Sequence, residues 1–347
     1  MAGMSDASVV TNSPGLLRDL TERTAVAVRG WNSGAAIVHI EPLTGGSSSL
    51  TYVATLSGVP VGYERVVLKV APPGLPPVRN RDVLRQARIM LALAGQPGVR
   101  VPAVLFTDAG APPDSSPFVA MELVPGTCVE PVLAPRGVVP AEQVRARAFD
   151  AARMLADLHR VDPCQTVAAD EPAVPLGAEI DRWTKAFATI PGDLRAGYEV
   201  VANRLHAMTP AAMTPVFIHG DYRLGNTLCA ADRITSIIDW EIWALGDPRI
   251  DVTWLAFFTD DARHPASLSD EPTGMPSKAE LVAAYEQARG EPLRNLLWFE
   301  ALTKYKESAA TALLIKRARK AGQLNDMHRR MLPALPVLLD QAMDLLG

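Results

Sequence analysis

Along the first third of this chain apolar and polar positions alternate in short runs; beyond it the period becomes helical. Residues 37–43, 50–56, 65–71, 101–107 and 118–123 carry strand-like alternation or short apolar runs, and they predict a five-stranded antiparallel sheet. A helical period at Leu16, Leu17, Leu20 and Val26–Val28 precedes the first strand. Another, over 81–93, places Leu84, Ala87, Met90 and Leu91 on one face between the third and fourth strands. From residue 141 the helical pattern dominates. Ala148, Ala152, Leu155 and Leu158 mark the inner stripe of a helix ending near His159, itself read as a packed or capping residue. Further helices are expected over 180–189, 195–208, 252–258, 281–289 and 296–321, the last two stopped by Gly290 and Gly322. The fold class is α+β: a small sheet with one main helix, then a larger and mostly helical part.

The stretch 217–258 breaks this regularity with two polar bursts, each behind an apolar run. The first is His219-Gly220-Asp221, with Asn226 five residues past the aspartate. The second is Asp239-Trp240-Glu241, followed by Gly246-Asp247-Pro248 and Asp251. Between them, two short strands joined at Ala230-Ala231-Asp232 form a hairpin that brings Asp221, Asn226 and Asp239 to one end. Either burst alone reads equally well as a polar hairpin on a surface. Both together suit phosphoryl transfer, because an aspartate can orient a hydroxyl and take its proton. An amide and a second aspartate meanwhile offer hard oxygen ligands to Mg²⁺.

Composition narrows the partners. The chain has 347 residues, 48% of them hydrophobic and 21% charged, enough to bury a sizeable core. A formal net charge of −4 argues against a general nucleic-acid binder. No run of eighteen apolar residues and no basic start followed by an apolar stretch occurs, so neither a membrane span nor a secretory signal is expected, and the setting is read as cytoplasmic. Cys128, Cys164 and Cys229 lack metal-site spacing and read as small buried apolar residues in a reducing compartment. Oligomeric state is not legible.

The two bursts, H-G-D-x4-N and I-I-D-W-E, resemble the catalytic core of the aminoglycoside phosphotransferase and choline kinase family, relatives of protein kinases. The resemblance implies a bilobal protein-kinase-like fold, with residues 1–126 as a nucleotide-binding lobe and 127–347 as a helical lobe carrying the catalytic loop. It implies ATP and Mg²⁺ as cofactors and a small hydroxylated molecule as acceptor. Carried over by motif, Asp221 is the catalytic base, Asn226 and Asp239 are metal ligands, and His219 props the loop. Glu241 supports the metal segment, and Asp247 and Asp251 brace the loop and cap the next helix.

The resemblance also gives meaning to weaker signals. Gly45, Gly46, Ser47 and Ser48 lie between two strands, where paired glycines allow close backbone approach to phosphates, although a plain hairpin turn reads the same way. Lys69 interrupts the apolar run of the third strand. It is either exposed on an edge strand or turned towards the nucleotide phosphates. Relatives pair this lysine with a glutamate on the following helix, where this chain has Gln86, which can hydrogen-bond the lysine but cannot neutralise it. Glu122 and Val124 fall in the segment whose main chain would read the adenine edge.

Within the family, the text around 283–286, 298–300 and 316–317 looks like the phosphotransferase domains associated with acyl-CoA dehydrogenases. That implies a hydroxyacyl-CoA-like acceptor. Between Lys304 and Arg330 stand eight Lys/Arg and two acids. This is a solvated basic face or a recognition surface for an anionic acceptor, with Lys316 and Arg317 as candidates. The loop 264–277 beside it is expected to be mobile. Two alternatives stay open: an aminoglycoside or related antibiotic kinase, and a nucleotide-binding pseudokinase regulator suggested by Gln86. A metal-dependent hydrolase accounts for neither Lys69 nor the Gly/Ser loop.

Overall fold

The computed structural model describes residues 14–43 and 49–347. The Gly45–Ser48 positions singled out above therefore lie outside the described residues. Helix α1 (Pro14–Trp31) leads into β1 (Ala36–Pro42), β2 (Leu50–Ser57) and β3 (Arg65–Val70). Helix α2 (Val83–Leu93) follows, then β4 (Val104–Asp108) and β5 (Phe118–Glu122). The five strands form one antiparallel sheet in the order β1-β2-β3-β5-β4. Strand β3 is thus central, and the edge-strand reading of Lys69 falls. Val66, Val67, Leu68 and Val70 are buried beside it, as a strand covered on both faces requires. One face packs on α1, which Arg23 ties to Asp108 at the end of β4 (2.8 Å). Helix α2 covers the other face through Val83 and Ala87. Its start is fixed by Asp82, whose carboxylate accepts from the free Leu84 and Arg85 N–H groups at 3.1 and 3.0 Å.

The helical half contains α3 (Ala141–Leu158), α4 (Leu176–Ala188), α5 (Tyr198–Ala207), α6 (Arg249–Phe257), α7 (Lys278–Arg289), α8 (Leu296–Ala321), α9 (Asp326–Met331) and α10 (Ala334–Leu346). Two cores hold it. Helices α4, α5, α8 and α10 bury one around Trp183, Phe187, Tyr305 and Leu338. Helices α3 and α7 share the other with the segment 217–258 through Ala152, Leu155, Tyr222 and Trp240.

Into this helical frame the chain sets two small strand pairs: β6 (Val216–Ile218) with β9 (Ala244–Gly246), and β7 (Thr227–Ala230) with β8 (Arg233–Ile237). The β6–β9 pair has no counterpart in the sequence reading. Its strands have three residues each, too short for a periodicity to show. The β7–β8 hairpin also joins the two halves, since Ile237 N–H donates to Arg100 O at 2.8 Å and the Arg100 guanidinium donates to Ile234 O at 2.6 Å. Among the described residues no helix is long and apolar enough to cross a membrane.

Two expectations are corrected here. Only Cys229 is buried; Cys128 and Cys164 are exposed, because one lies in the loop after β5 and the other in a surface turn. The loop 264–277, expected to be mobile, is pinned. Arg136 reaches Ser267 Oγ at 3.1 Å, Ser269 O at 2.6 Å and Glu271 O at 2.7 Å, and Asp260 takes the Thr273 N–H at 2.9 Å. Pro/Ser-rich composition signals irregular backbone, not freedom, when a guanidinium collects the carbonyls.

Candidate active site

The segment after β6 is held by a series of hydrogen bonds to its backbone. Asp251, fully buried at the start of α6, accepts the His219 N–H at 2.6 Å and the Gly220 N–H at 2.8 Å. His219 Nδ1 accepts the Asp221 N–H at 3.2 Å, so the ring proton lies on Nε2, which donates to Ile238 O at 2.9 Å. Asn226 Nδ2 donates to the Asp221 carbonyl at 2.7 Å, and Ile238 N–H returns to Asn226 O at 2.9 Å. Gly220 is required at its position: its φ is +83°, and a Cβ there would stand 2.7 Å from Ile242 O. What this fastening fixes is the Asp221 side chain. Its Oδ1 accepts from Trp254 Nε1 at 2.6 Å and from Arg223 Nε at 3.3 Å.

Asp239 follows β8 in a left-handed conformation (φ +66°, ψ +52°), a strained state for a non-glycine residue that surrounding contacts must enforce. Its Oδ1 lies 2.9 Å from Lys69 Nζ, and Glu241 Oε1 lies 3.1 Å from the same nitrogen. Burial works to lower the Lys69 pKa, but the two carboxylates outweigh it and hold the ammonium above its ordinary value. For Asp239 burial pushes the other way from Lys69, and the lysine wins, keeping the carboxyl below the usual range. Ser49 Oγ also reaches Glu241 Oε1, at 3.4 Å.

Gln86 is not part of this cluster. It is 2% exposed, and its amide donates to Asn80 O at 3.3 Å rather than to Lys69, a correction to the hydrogen bond expected from sequence. The charge missing from α2 is supplied instead by Asp239 and Glu241, across the junction of the two halves. Glu122 sits at the end of β5, its N–H on Ala103 O at 2.9 Å and its carboxylate accepting from Ala103 N–H at 3.3 Å. Val124 lies just beyond, in the segment that leaves the sheet.

The acidic pair downstream divides its work. Asp251 secures the loop. Asp247 accepts the Arg249 N–H at the start of α6 and binds its guanidinium at 2.8 and 2.7 Å. His159 is packed, as read: Nδ1 meets Tyr285 Oη at 2.8 Å, and burial lowers its pKa.

Lys316 and Arg317 are not brought to the site. Lys316 Nζ donates to Thr189 O at 2.6 Å, and Arg317 is exposed. They stand ten and eleven residues past Lys306, the α8 residue that touches Gly220 O, which is about 15 Å or more of helix. The basic excess of the tail is also partly spent locally, on the Arg319–Asp193 and Arg329–Asp326 pairs. The residues that do approach Asp221 were missed. Arg223 is held by Glu130 (3.5 Å) and stands over Phe258 (5.1 Å); Trp254 donates to Asp221, and Lys306 lies over the Trp254 ring. Arg223 stands two positions after the aspartate and Trp254 three after Asp251, spacings that could have drawn attention. Lys306 had only its lysine among buried helical neighbours to give it away.

As an Mg²⁺ site the donors fit. Asn226, with its NH₂ engaged, leaves an amide oxygen; Asp239 adds a carboxylate whose side chain is still 44% exposed. Magnesium takes few protein oxygens and completes its shell with water and phosphate. No His/Cys/Asp/Glu group of three or more that could hold a metal by itself occurs among the described residues.

Such a sheet and helical half, joined at a fastened H-G-D loop opposite a paired lysine, define a protein-kinase-like phosphotransferase. Residues 39–302 match the phosphotransferase enzyme family, and the chain belongs to it. Acyl-CoA dehydrogenase family member 11 of Pongo abelii is 27% identical over 258 aligned positions, with 71% of this chain and 32% of that protein covered; the chain thus spans about a third of that relative's length. A candidate aminoglycoside phosphotransferase from Ralstonia eutropha superposes with TM-score 0.69 at 22% identity, covering 88% of this chain and 92% of its own. A thermostable mutant of the aminoglycoside phosphotransferase APH(4)-Ia, in a ternary complex with AMP-PNP and hygromycin B, gives 0.60 at 14% identity, covering 95% and 99%.

Proposed function

We propose that this chain is an ATP-dependent kinase that phosphorylates a hydroxyl of a small molecule. Supporting this most directly is the fastening of Asp221 on one side of a junction where Lys69 meets Asp239 and Glu241 on the other. In this reading residues 1–126 bind nucleotide and 127–347 carry catalysis and the acceptor. Asp221 orients the acceptor hydroxyl and takes its proton as the oxygen attacks the γ-phosphorus. The new O–P bond forms while the bond to the β-phosphate oxygen breaks, and ADP leaves. Lys69 exchanges its carboxylate partners for phosphate oxygens. Asn226 and Asp239 would hold Mg²⁺, which when bound neutralises phosphate charge. The Gly45–Ser48 stretch covers the phosphates, and Glu122 and Val124 offer main-chain groups to adenine. AMP-PNP in the APH(4)-Ia complex supports ATP as donor.

For the acceptor we favour a hydroxyacyl-CoA-like molecule in a cytoplasmic setting. The relatives named acyl-CoA dehydrogenase family members support it; the tail charge no longer does, since Lys316 and Arg317 are remote. Calorimetric titration with MgATP tests the nucleotide half of the reading. Saturable one-site binding that weakens on removing Mg²⁺ is expected; no binding at millimolar nucleotide would contradict it.

A further inference from the structure

Lys306 lies on the inner face of α8, 4% exposed, among buried Leu302, Tyr305, Ala309 and Ala312. Stripping water from an ammonium costs several kcal/mol unless it is re-partnered. None of the ion pairs among the described residues includes it. Two partners stand out instead. Lys306 Nζ donates to the Gly220 carbonyl, 86 positions earlier in the chain, and lies 3.8 Å from the ring centroid of Trp254. A cation that close to an indole face gains electrostatically, more so when desolvated. The Trp183 ring, at 5.8 Å, completes its surroundings.

Both partners lead to Asp221. The Gly220 carbonyl belongs to the peptide that joins Gly220 to Asp221, so fixing it fixes the rotation of the aspartate's own backbone. The Trp254 indole donates to Asp221 Oδ1 at 2.6 Å, so the plane on which the ammonium rests also orients the carboxylate. Three backbone fasteners of the loop named above (Asp251, the His219 ring and Asn226) come from the segment 219–251 itself. Lys306 reaches the same loop from α8, far along the chain.

We propose that Lys306 is a positioning residue for phosphoryl transfer, holding the Asp221 carboxylate through the Gly220 carbonyl on one side and the Trp254 indole on the other. The inference rests on Asp221 acting as the base. Burial draws the Lys306 pKa down, while the carboxylates of Glu179, Asp221 and Asp251 pull against that change and favour the charged form that the indole contact uses.

The test uses MgATP alone, with water as acceptor, in the whole chain. Turnover and calorimetric ADP affinity are compared in wild type, Lys306→Met, Lys306→Arg, Trp254→Phe, the double variant and Asp221→Asn. Lys306→Met keeps the length and apolar packing but removes both arms. A misplacement of about 1 Å can cost on the order of 10²-fold, so its kcat should fall roughly ten- to hundredfold with the ADP Kd within about twofold. Lys306→Arg should recover part of the loss. Trp254→Phe should lower kcat similarly, and the double variant should lose less than the product of the two, because both act through one carboxylate. Wild-type kcat in Lys306→Met or in Trp254→Phe, while Asp221→Asn is impaired, would overturn the Lys306 inference alone. Lys306→Met losing ADP binding along with turnover would mark a packing role and overturn it too. Undiminished turnover in Asp221→Asn would instead overturn the catalytic reading beneath it.

Discussion

At the scale of single residues, the site is governed by what burial does to charge. Asp239 and Lys69 hold each other ionised across the junction of the halves. Under the proposed reading Asp239→Asn keeps the shape but offers the metal a neutral amide. Mg²⁺-dependent nucleotide affinity should fall about tenfold or more, a loss of roughly 1.4 kcal/mol; superimposable Mg²⁺ titrations of variant and wild type would exclude ligation by Asp239. Asp251 is the structural counterpart. Burial works to raise its pKa, yet His159, His219 and the loop N–H groups hold the carboxyl below the ordinary 3.8. A depressed folded pKa means stabilisation fully present above about pH 4 and lost as the pH falls through the folded value. Asp251→Asn removes that group from the titration. Its unfolding free energy should be lower than wild type at pH 7, and the gap should narrow as the pH drops below about 4. A gap constant from pH 7 to 3 would show that the Asp251 charge is not what the loop relies on. Asp221, Asn226, Asp239 and Asp251 stand out in the sequence because two polar bursts fall within the one stretch 217–258. Lys306 was hidden because its partner is 86 residues away, and Gln86 misled because an amide pointed at a lysine on paper finds a nearer carbonyl, Asn80 O, in space.

At the scale of elements, periodicity told the long pieces. Helix α8 is legible at its observed bounds from its 26-residue length and from Gly322, which stops it in a left-handed turn (φ +65°). The five sheet strands were likewise legible, down to the antiparallel arrangement. The three-residue β6–β9 pair was not, because strands of three residues are too short to show a period. The tail shows the reverse failure, where a real charge excess implied a surface that the helix carries elsewhere. Lys316 and Arg317 lie about 15 Å or more along α8 from Lys306, the residue that touches Gly220 O. Reversing both to Glu should therefore leave the ATP and acceptor KM values within about twofold, as expected of exposed charges screened over about 8 Å. A tenfold rise in the acceptor KM alone would return that end of α8 to the site.

For the whole molecule, the account is of two halves that meet at charged side chains, Lys69 from the sheet with Asp239 and Glu241 from the helical part. A nucleotide seated there would be the common partner of both. The family is fixed by the match over residues 39–302, and the acceptor is the open choice. Phosphorus NMR of the reaction tests the central claim most directly. Wild type and Asp221→Asn are incubated with MgATP and, in separate samples, a hydroxyacyl-CoA, an aminoglycoside and an amino alcohol. The account predicts a new phosphate-monoester resonance with the hydroxyacyl-CoA, growing as the γ-phosphate signal decays and ADP appears. In Asp221→Asn its rate should be lower by about 10²–10⁴-fold. No ester with any hydroxylated acceptor, or an ester formed equally fast by Asp221→Asn, would contradict it.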